Sequence, residues 1–214
     1  MRTSRASAFL RGVTIAAVAL LLAGCGTDPF APVPLSSGPP VLVVGDDGTV
    51  TYRQASSLEP EDDDDQGDER SLTVEKEIDG VKGGWLECGR FLLAIPSGAF
   101  DSTGTVTMSM PDSTAMVVEL EIAPKRLNQF RVPVLLSLKT TGADVQPDSL
   151  AIYWYDPLDR GWVGMATEKD LSSTKDCLLN LSSGSGSGPV DSNDSGVATH
   201  LTHFSRYSAG KAGW

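Results

Sequence analysis

Residues 83–100 of the chain read GGWLECGRFLLAIPSGAF. Turn residues bound this apolar run at both ends, and the run predicts two strands. Apolar residues of opposite parity lie on either side of Gly89: Leu86 and Cys88 before it, and Phe91, Leu93 and Ile95 after it. The inward face therefore switches at Gly89, which predicts a bulge or a tight turn there. Pro96 has no amide hydrogen for a ladder, so it ends the second strand.

Alternation of apolar and polar residues continues beyond Ser71. It predicts further half-buried strands at 72–78, 106–110, 116–122, 132–139, 150–155, 161–165, 177–181 and 197–207. In the first of them, Leu72, Val74 and Ile78 are expected to face the core. No segment shows a convincing helical period, and the Ser/Gly-rich stretch 182–196 is predicted to be a loop. The pattern favours an all-β fold, a two-sheet antiparallel β-sandwich over residues 71–210. A possible hairpin at 41–53 is either an extra strand docked on the sandwich or no structure.

The N-terminus has the layout of a lipoprotein signal peptide. Three arginines precede an apolar run at 13–23, which is too short to span a bilayer as a helix. The run ends in Leu22-Ala-Gly-Cys25, the lipobox pattern, which predicts removal of residues 1–24 and acylation of Cys25. Residues 25–70 are then a flexible, acidic, lipid-anchored tether. The expected location is the cell membrane or outer membrane, facing the periplasm or the exterior.

The charge balance excludes nucleic acid as a partner. The chain has 17 Lys and Arg against 28 Asp and Glu, and the predicted signal carries three of the arginines and no acidic residue. The mature chain is therefore more acidic than the formal net charge of −11, and such a surface repels polyanions.

The acidic residues at 59–69 invite comparison with calcium sites. Asp62 and Asp64 fit the start of an EF-hand loop, but Thr73 stands where the bidentate Glu belongs, so a solvated linker is favoured. A second stretch, which begins at Asp191, also resembles the start of an EF-hand loop, and Thr202 again stands where the bidentate Glu belongs. His200 and His203 would point to opposite faces of one strand. The sequence therefore predicts no metal site and no cofactor.

Two thiols remain once Cys25 is acylated. Cys88 and Cys177 lie in apolar contexts, and export to an oxidising compartment favours a disulfide between them. Two buried free thiols are the alternative.

Several short motifs resemble the ZU-five domain of netrin receptors, ankyrins and tight-junction scaffolds, which also occurs in bacterial surface lipoproteins. They are Gly83-Gly84, Gly89, Leu93-Ala94-Ile95-Pro96, Gly98-Ala99, Phe130, Pro133-Val134 and the run from His203 to Tyr207. The resemblance implies a β-sandwich that binds or scaffolds, and it names no partner.

The tripeptide His203-Phe204-Ser205 also resembles the self-cleavage site of some of these proteins. There a His acts as base while the Ser hydroxyl attacks the preceding carbonyl. The same residues suit a second interpretation, in which a His–Ser hydrogen bond fixes the last strand.

The expected function is that of a cell-envelope lipoprotein whose sandwich binds another protein, and not that of an enzyme acting on other molecules. One alternative is a self-cleaving module cut between Phe204 and Ser205. The other is a glycan- or cell-wall-binding module, because alternation places Tyr153 and Tyr155 together on one face, where exposed rings would stack on sugars. The partners are the membrane, through the anchor, and an envelope protein or a glycan.

Overall fold

Two antiparallel sheets pack face to face as a β-sandwich, which confirms the predicted fold class. The computed structural model describes residues 38–54, 70–181 and 189–213. Its elements are β1 Pro40–Val44, β2 Val50–Gln54, β3 Leu72–Asp79, β4 Gly84–Cys88, β5 Phe91–Ile95, β6 Thr103–Met110, β7 Val117–Ala123, β8 Val134–Lys139, β9 Leu150–Asp156, β10 Gly161–Gly164, α1 Ser172–Leu181, β11 Gly196–Leu201 and β12 Arg206–Lys211. Short 3-10 helices lie at Lys125–Leu127 and Pro147–Ser149.

The two sheets differ in width. The larger sheet has the strand order β10-β9-β12-β7-β6-β3, and β1 joins it by pairing with β12 and with β2. The smaller sheet has the order β11-β8-β5-β4. Among the described residues β3 pairs with β6 alone and β4 with β5 alone, so both are edge strands. These two edges lie on the same side of the sandwich, where the Ile78 side chain packs against Gly84.

The stretch at 83–100 forms the two predicted strands, and a tight turn, one of the two possibilities predicted at Gly89, joins them as a hairpin. Cys88 is opposite Phe91 and Leu86 is opposite Leu93, so the loop between β4 and β5 is the two-residue turn Gly89-Arg90. Gly89 adopts a φ of 56°, which favours glycine. The turn brings both apolar sets onto the core side of the smaller sheet. Each fully buried apolar side chain of this kind stabilises the fold by about 1.5–3 kcal/mol.

The possible hairpin at 41–53 forms as β1 and β2, and it belongs to the larger sheet. Val41 is opposite Gly210 of β12, and the Leu42 and Val44 side chains enter the main core. Of the two possibilities left open by the sequence, the docked strand is the one that the structure contains. The start of the predicted tether, the signal peptide, Cys25 and the acidic residues at 59–69 lie outside the described residues.

The strand predicted at 177–181 is wrong, because these residues end a helix. The Asp170 side chain accepts a hydrogen bond from the Ser172 amide at 2.8 Å and so satisfies the first free amide of α1. Buried side chains then recur at Thr174 and at Cys177 and Leu178, one turn apart. They cover the outer face of the smaller sheet, formed here by Leu92, Ala94 and Leu135.

The strand predicted at 197–207 is two strands in different sheets. β11 belongs to the smaller sheet and β12 to the larger one. The turn from Thr202 to Ser205 connects them, so the predicted alternation of side chains stops at Leu201 and begins again at Arg206.

Candidate functional site

The turn from Thr202 to Ser205 is held by hydrogen bonds to β7, to the loop at 128–130 and to the strand that follows it. The Thr202 carbonyl accepts from the Phe130 amide at 2.9 Å, and the Ser205 carbonyl accepts from the Leu120 amide at 2.9 Å. The two carbonyls between them accept from side chains: His203 from the Tyr207 hydroxyl at 2.6 Å and Phe204 from the Asn128 amide at 2.9 Å. A turn fixed at every carbonyl does not change conformation easily.

His203 and Ser205 face different neighbours within this turn. The His203 ring lies edge-on to Trp154, 5.1 Å between centroids, and its Nδ1 is 3.4 Å from the Thr202 hydroxyl. The Ser205 hydroxyl donates to the Tyr155 carbonyl at 3.5 Å. Within the described range 189–213, no hydrogen bond joins the side chains of His203 and Ser205. Burial lowers the pKa of the His203 imidazole, so the ring is neutral at pH 7.

That arrangement lacks the contact that both interpretations of the tripeptide need. A general base must reach the hydroxyl that it deprotonates, and a strand-fixing pair must be bonded. The predicted His203–Ser205 hydrogen bond is therefore wrong for this conformation. The Phe204 carbonyl is fixed by Asn128 instead.

A cleft of 280 Å³ opens beside the turn, along β7. Its polar lining residues carry both signs of charge: Glu119, Glu121, Lys125, Asn128, Ser205 and Arg206. Arg206 Nε donates to Glu119 Oε1 at 2.7 Å, as expected for residues directly opposite each other on β12 and β7. Sequence reasoning missed Glu119 and Arg206 because the strand register brings them together, and it missed Asn128 because its partner Phe204 is 76 residues away.

The two tyrosines of the glycan alternative are not an exposed pair of rings. Tyr153 is 4% exposed, and its hydroxyl donates to the Lys211 carbonyl at 2.6 Å. Tyr155 is half-buried between the Trp162 ring, 5.4 Å away, and the Arg206 guanidinium, 5.9 Å away. The expectation that both rings are exposed is wrong for Tyr153, because the neighbouring strands cover it.

The predicted disulfide between Cys88 and Cys177 is also wrong, since both thiols are free and buried. Cys88 lies in the core between the sheets, whereas Cys177 lies beneath α1 on the other face of the smaller sheet. A bridge needs Cβ atoms about 3.5–4.5 Å apart, and a layer of backbone separates these two side chains. Burial raises the pKa of both thiols.

The free edge of β3 and the adjacent part of β4 form a different kind of site, called the open edge below. Leu72 and Val74 are 40% and 36% exposed, and Trp85 of β4 is 39% exposed. Lys76 Nζ lies 4.9 Å over the Trp85 ring and donates to the Trp85 carbonyl at 3.0 Å. Alternation predicted that Leu72, Val74 and Ile78 face the core, yet only Ile78 is buried, because β4 is shorter than β3 and is the outermost strand of the smaller sheet.

Two further properties concern membranes and metals. The part of the chain that the structure describes contains no helix with the length and apolarity to cross a bilayer. In the same residues, no three His, Cys, Asp or Glu side chains are grouped so that they could hold a metal ion.

Neither the models of known protein families nor the curated proteins include a match to this chain. The resemblance to the ZU-five domain therefore stays a prediction based on the residues quoted above. The open edge and the cleft are the features from which a function can be argued.

Proposed function

We propose that this protein is a lipid-anchored binding module of the cell envelope that binds another protein through its open edge. The Leu22–Cys25 lipobox pattern and the apolar run before it support the anchor. The open edge supports the protein partner, since an unpaired strand offers a row of backbone donors and acceptors to an added strand.

One observation carries the proposal: β3 is eight residues long, and six consecutive residues from Leu72 to Glu77 are exposed. Edge strands of soluble proteins are usually short, covered, bulged or charged, which limits pairing with other chains, and β3 carries the charges of Glu75 and Glu77 but is neither short nor bulged. β3 is regular throughout its pairing with β6, and two of its exposed residues are the apolar Leu72 and Val74. An exposed apolar patch rimmed by polar residues is typical of an interaction site.

The open edge has more support than either alternative. A sugar needs an exposed ring face, but Tyr153 is buried and Tyr155 is flanked on two sides. Self-cleavage needs a base in contact with the Ser205 hydroxyl, and that hydroxyl contacts the Tyr155 carbonyl instead.

Site-specific cross-linking in cells tests the partner. A photo-crosslinking amino acid replaces Val74, and in a matched control variant it replaces Leu158. Leu158 is 90% exposed and lies in the turn between β9 and β10, and β10 is at the other end of the strand order of the same sheet. We expect one envelope protein to be cross-linked from position 74 and not from position 158. No adduct, or the same adducts from both positions, would overturn the proposal.

Fractionation of a Cys25→Ala variant tests the anchor. The unmodified chain should be recovered with membranes, whereas the variant should not be acylated and should lose its membrane attachment. A variant that stays in the membrane fraction would refute anchoring through Cys25.

A further inference from the structure

We infer that the partner segment is an extended strand that adds antiparallel to β3, with two basic residues opposite Glu75 and Glu77 and apolar residues opposite Leu72 and Val74. This inference rests on the proposed function and specifies the chemistry of its partner. Four observations support it: the direction of the backbone groups, the charges along β3, the conflict between two copies of β3, and the apolar side chains.

The backbone groups of the acidic residues point to the free edge. The Gly80 amide, one residue beyond β3, donates to the Ser102 carbonyl of the β6 side at 3.1 Å. Hydrogen-bonded positions alternate along an antiparallel ladder, and the register from Leu72 to Asp79 is unbroken. The even-numbered residues therefore pair with β6, and the amides and carbonyls of Thr73, Glu75 and Glu77 are the ones available to an added strand.

The acidic side chains at this edge have no counter-charge among the residues that the structure describes. Glu75 is opposite Thr107 and Glu77 is opposite Thr105, and neither carboxylate forms an ion pair with any described residue. Beyond Thr107, the next residue in the same row is Glu121. A basic residue on an added strand would be the first cation directly opposite Glu75 or Glu77, and cross-strand pairs of opposite charge are stabilising.

A second copy of this chain does not fit the edge. In a two-fold pairing of β3 with itself, residues that face the same side must be opposite each other. Two registers meet this condition and overlap seven of the eight residues of β3. One sets Glu75 against its own copy, and the other sets Glu75 against Glu77 and Lys76 against its own copy. Like charges in direct opposition are destabilising, so the partner is a strand of opposite charge.

The apolar part of the edge fixes the rest of the pattern. Leu72 and Val74 lie on the face of β3 opposite to that of the two glutamates, near the exposed Trp85. Since directly opposed residues share a face, the residues opposite Leu72 and Val74 should be apolar. An antiparallel partner then reads, from its N-terminus, basic, polar, basic, apolar, polar, apolar.

Two blocked hexapeptides test the pattern against the full chain purified in detergent. The first is Lys-Thr-Lys-Val-Thr-Val, and the control replaces both lysines with glutamate. Binding is followed by NMR through the amides of Thr73, Glu75 and Glu77. We expect the lysine peptide to bind about tenfold more tightly than the control. The reason is that lysines opposite Glu75 and Glu77 form two favourable charge pairs, whereas glutamates at the same places form two unfavourable ones. This preference should decrease as salt is added.

Two variants test the contacts separately. The charge reversal Glu75→Lys with Glu77→Lys should reverse the preference between the peptides. Thr73→Pro removes one amide at the free edge and no hydrogen bond to β6. It should therefore abolish peptide binding while the protein stays folded, which an unchanged melting temperature of the variant would show.

Equal binding of both peptides would overturn the charge pattern and leave the proposed function intact. If neither peptide binds although position 74 cross-links a partner in cells, the inference is wrong and the proposed function stands. If position 74 gives no specific adduct, the proposed function itself fails.

Discussion

The side-chain amide of Asn128 forms hydrogen bonds with both the carbonyl and the amide of the Phe204 backbone. Its Nδ2 donates to the Phe204 carbonyl at 2.9 Å, and its Oδ1 accepts from the Phe204 amide. One side chain thereby imitates a strand neighbour at the place where the chain leaves one sheet for the other. The Phe204 ring packs edge-on against Phe130, 4.6 Å between centroids, so the same turn is also fixed from the core.

Replacing Asn128 with alanine should destabilise the fold. Asn128→Ala leaves both backbone groups of Phe204 without a partner in a partly buried position, which we expect to lower the free energy of unfolding by about 2 kcal/mol. Chemical denaturation measures this loss. Gln129→Ala is the control, because Gln129 is exposed, and its effect should stay within about 0.5 kcal/mol. Equal effects of the two variants would contradict the role of Asn128.

The buried hydroxyls of Ser137 and Thr174 attach α1 to the smaller sheet. Their oxygens are 2.6 Å apart, and neither residue is exposed. Thr174→Val leaves the Ser137 hydroxyl buried without a partner, so we expect a loss of about 1–3 kcal/mol in the free energy of unfolding. The double variant Ser137→Ala with Thr174→Val should be less destabilised than the sum of the single variants. Additive losses in this double-mutant cycle would show that the two hydroxyls do not interact.

This hydroxyl pair also explains why the helix was missed. Thr174 occupies a core position of α1, where the sequence shows a polar residue, so the apolar helical period is interrupted within a ten-residue element. The strands were easier to predict because alternation persists over five to eight residues in most of them. Alternation gives the face of a residue but not the width of the opposing sheet, and for that reason Leu72 and Val74 were expected in the core.

The site was less predictable than the fold. The tripeptide drew attention to His203 and Ser205, but the partner of this turn, Asn128, is 76 residues away from Phe204. Nothing in the local pattern around Asn128 distinguishes it from a surface turn residue. The pairing of Glu119 with Arg206 depends on the register of β7 and β12, which no local signal specifies.

Cys88 and Cys177 should remain reduced and react slowly. Both side chains are buried on opposite faces of a sheet, and burial raises the pKa of each thiol, which lowers the fraction of reactive thiolate. We expect the intact mass of the native protein to be unchanged by a reductant, and labelling by a thiol reagent to require unfolding. A native mass that rises by two hydrogens on reduction would contradict this prediction.

The chain should stay whole at the Phe204–Ser205 bond. The Ser205 hydroxyl donates to the Tyr155 carbonyl and forms no hydrogen bond with the His203 ring, and the turn is fixed at each carbonyl. We expect the purified protein to retain its C-terminal residues through Trp214 by intact mass. A fragment ending at Phe204 that disappears in a Ser205→Ala variant would instead show a reactive conformation of the turn.

Protonation of His203 should destabilise the fold at acidic pH. Burial lowers the pKa of this imidazole below its ordinary value of about 6.5, and the opposing effect of the Asp156 carboxylate is smaller. Between the folded and unfolded pKa values the unfolded chain binds more protons, so the free energy of unfolding rises with pH in that window and falls as the pH drops below about 6.5. Denaturation at a series of pH values should show this step, and His203→Gln should remove it. His200→Gln is the matched control, since His200 is exposed and contacts Glu168 at 3.1 Å, and the step should survive in that variant. If the step disappears in His200→Gln and persists in His203→Gln, the prediction for His203 is wrong.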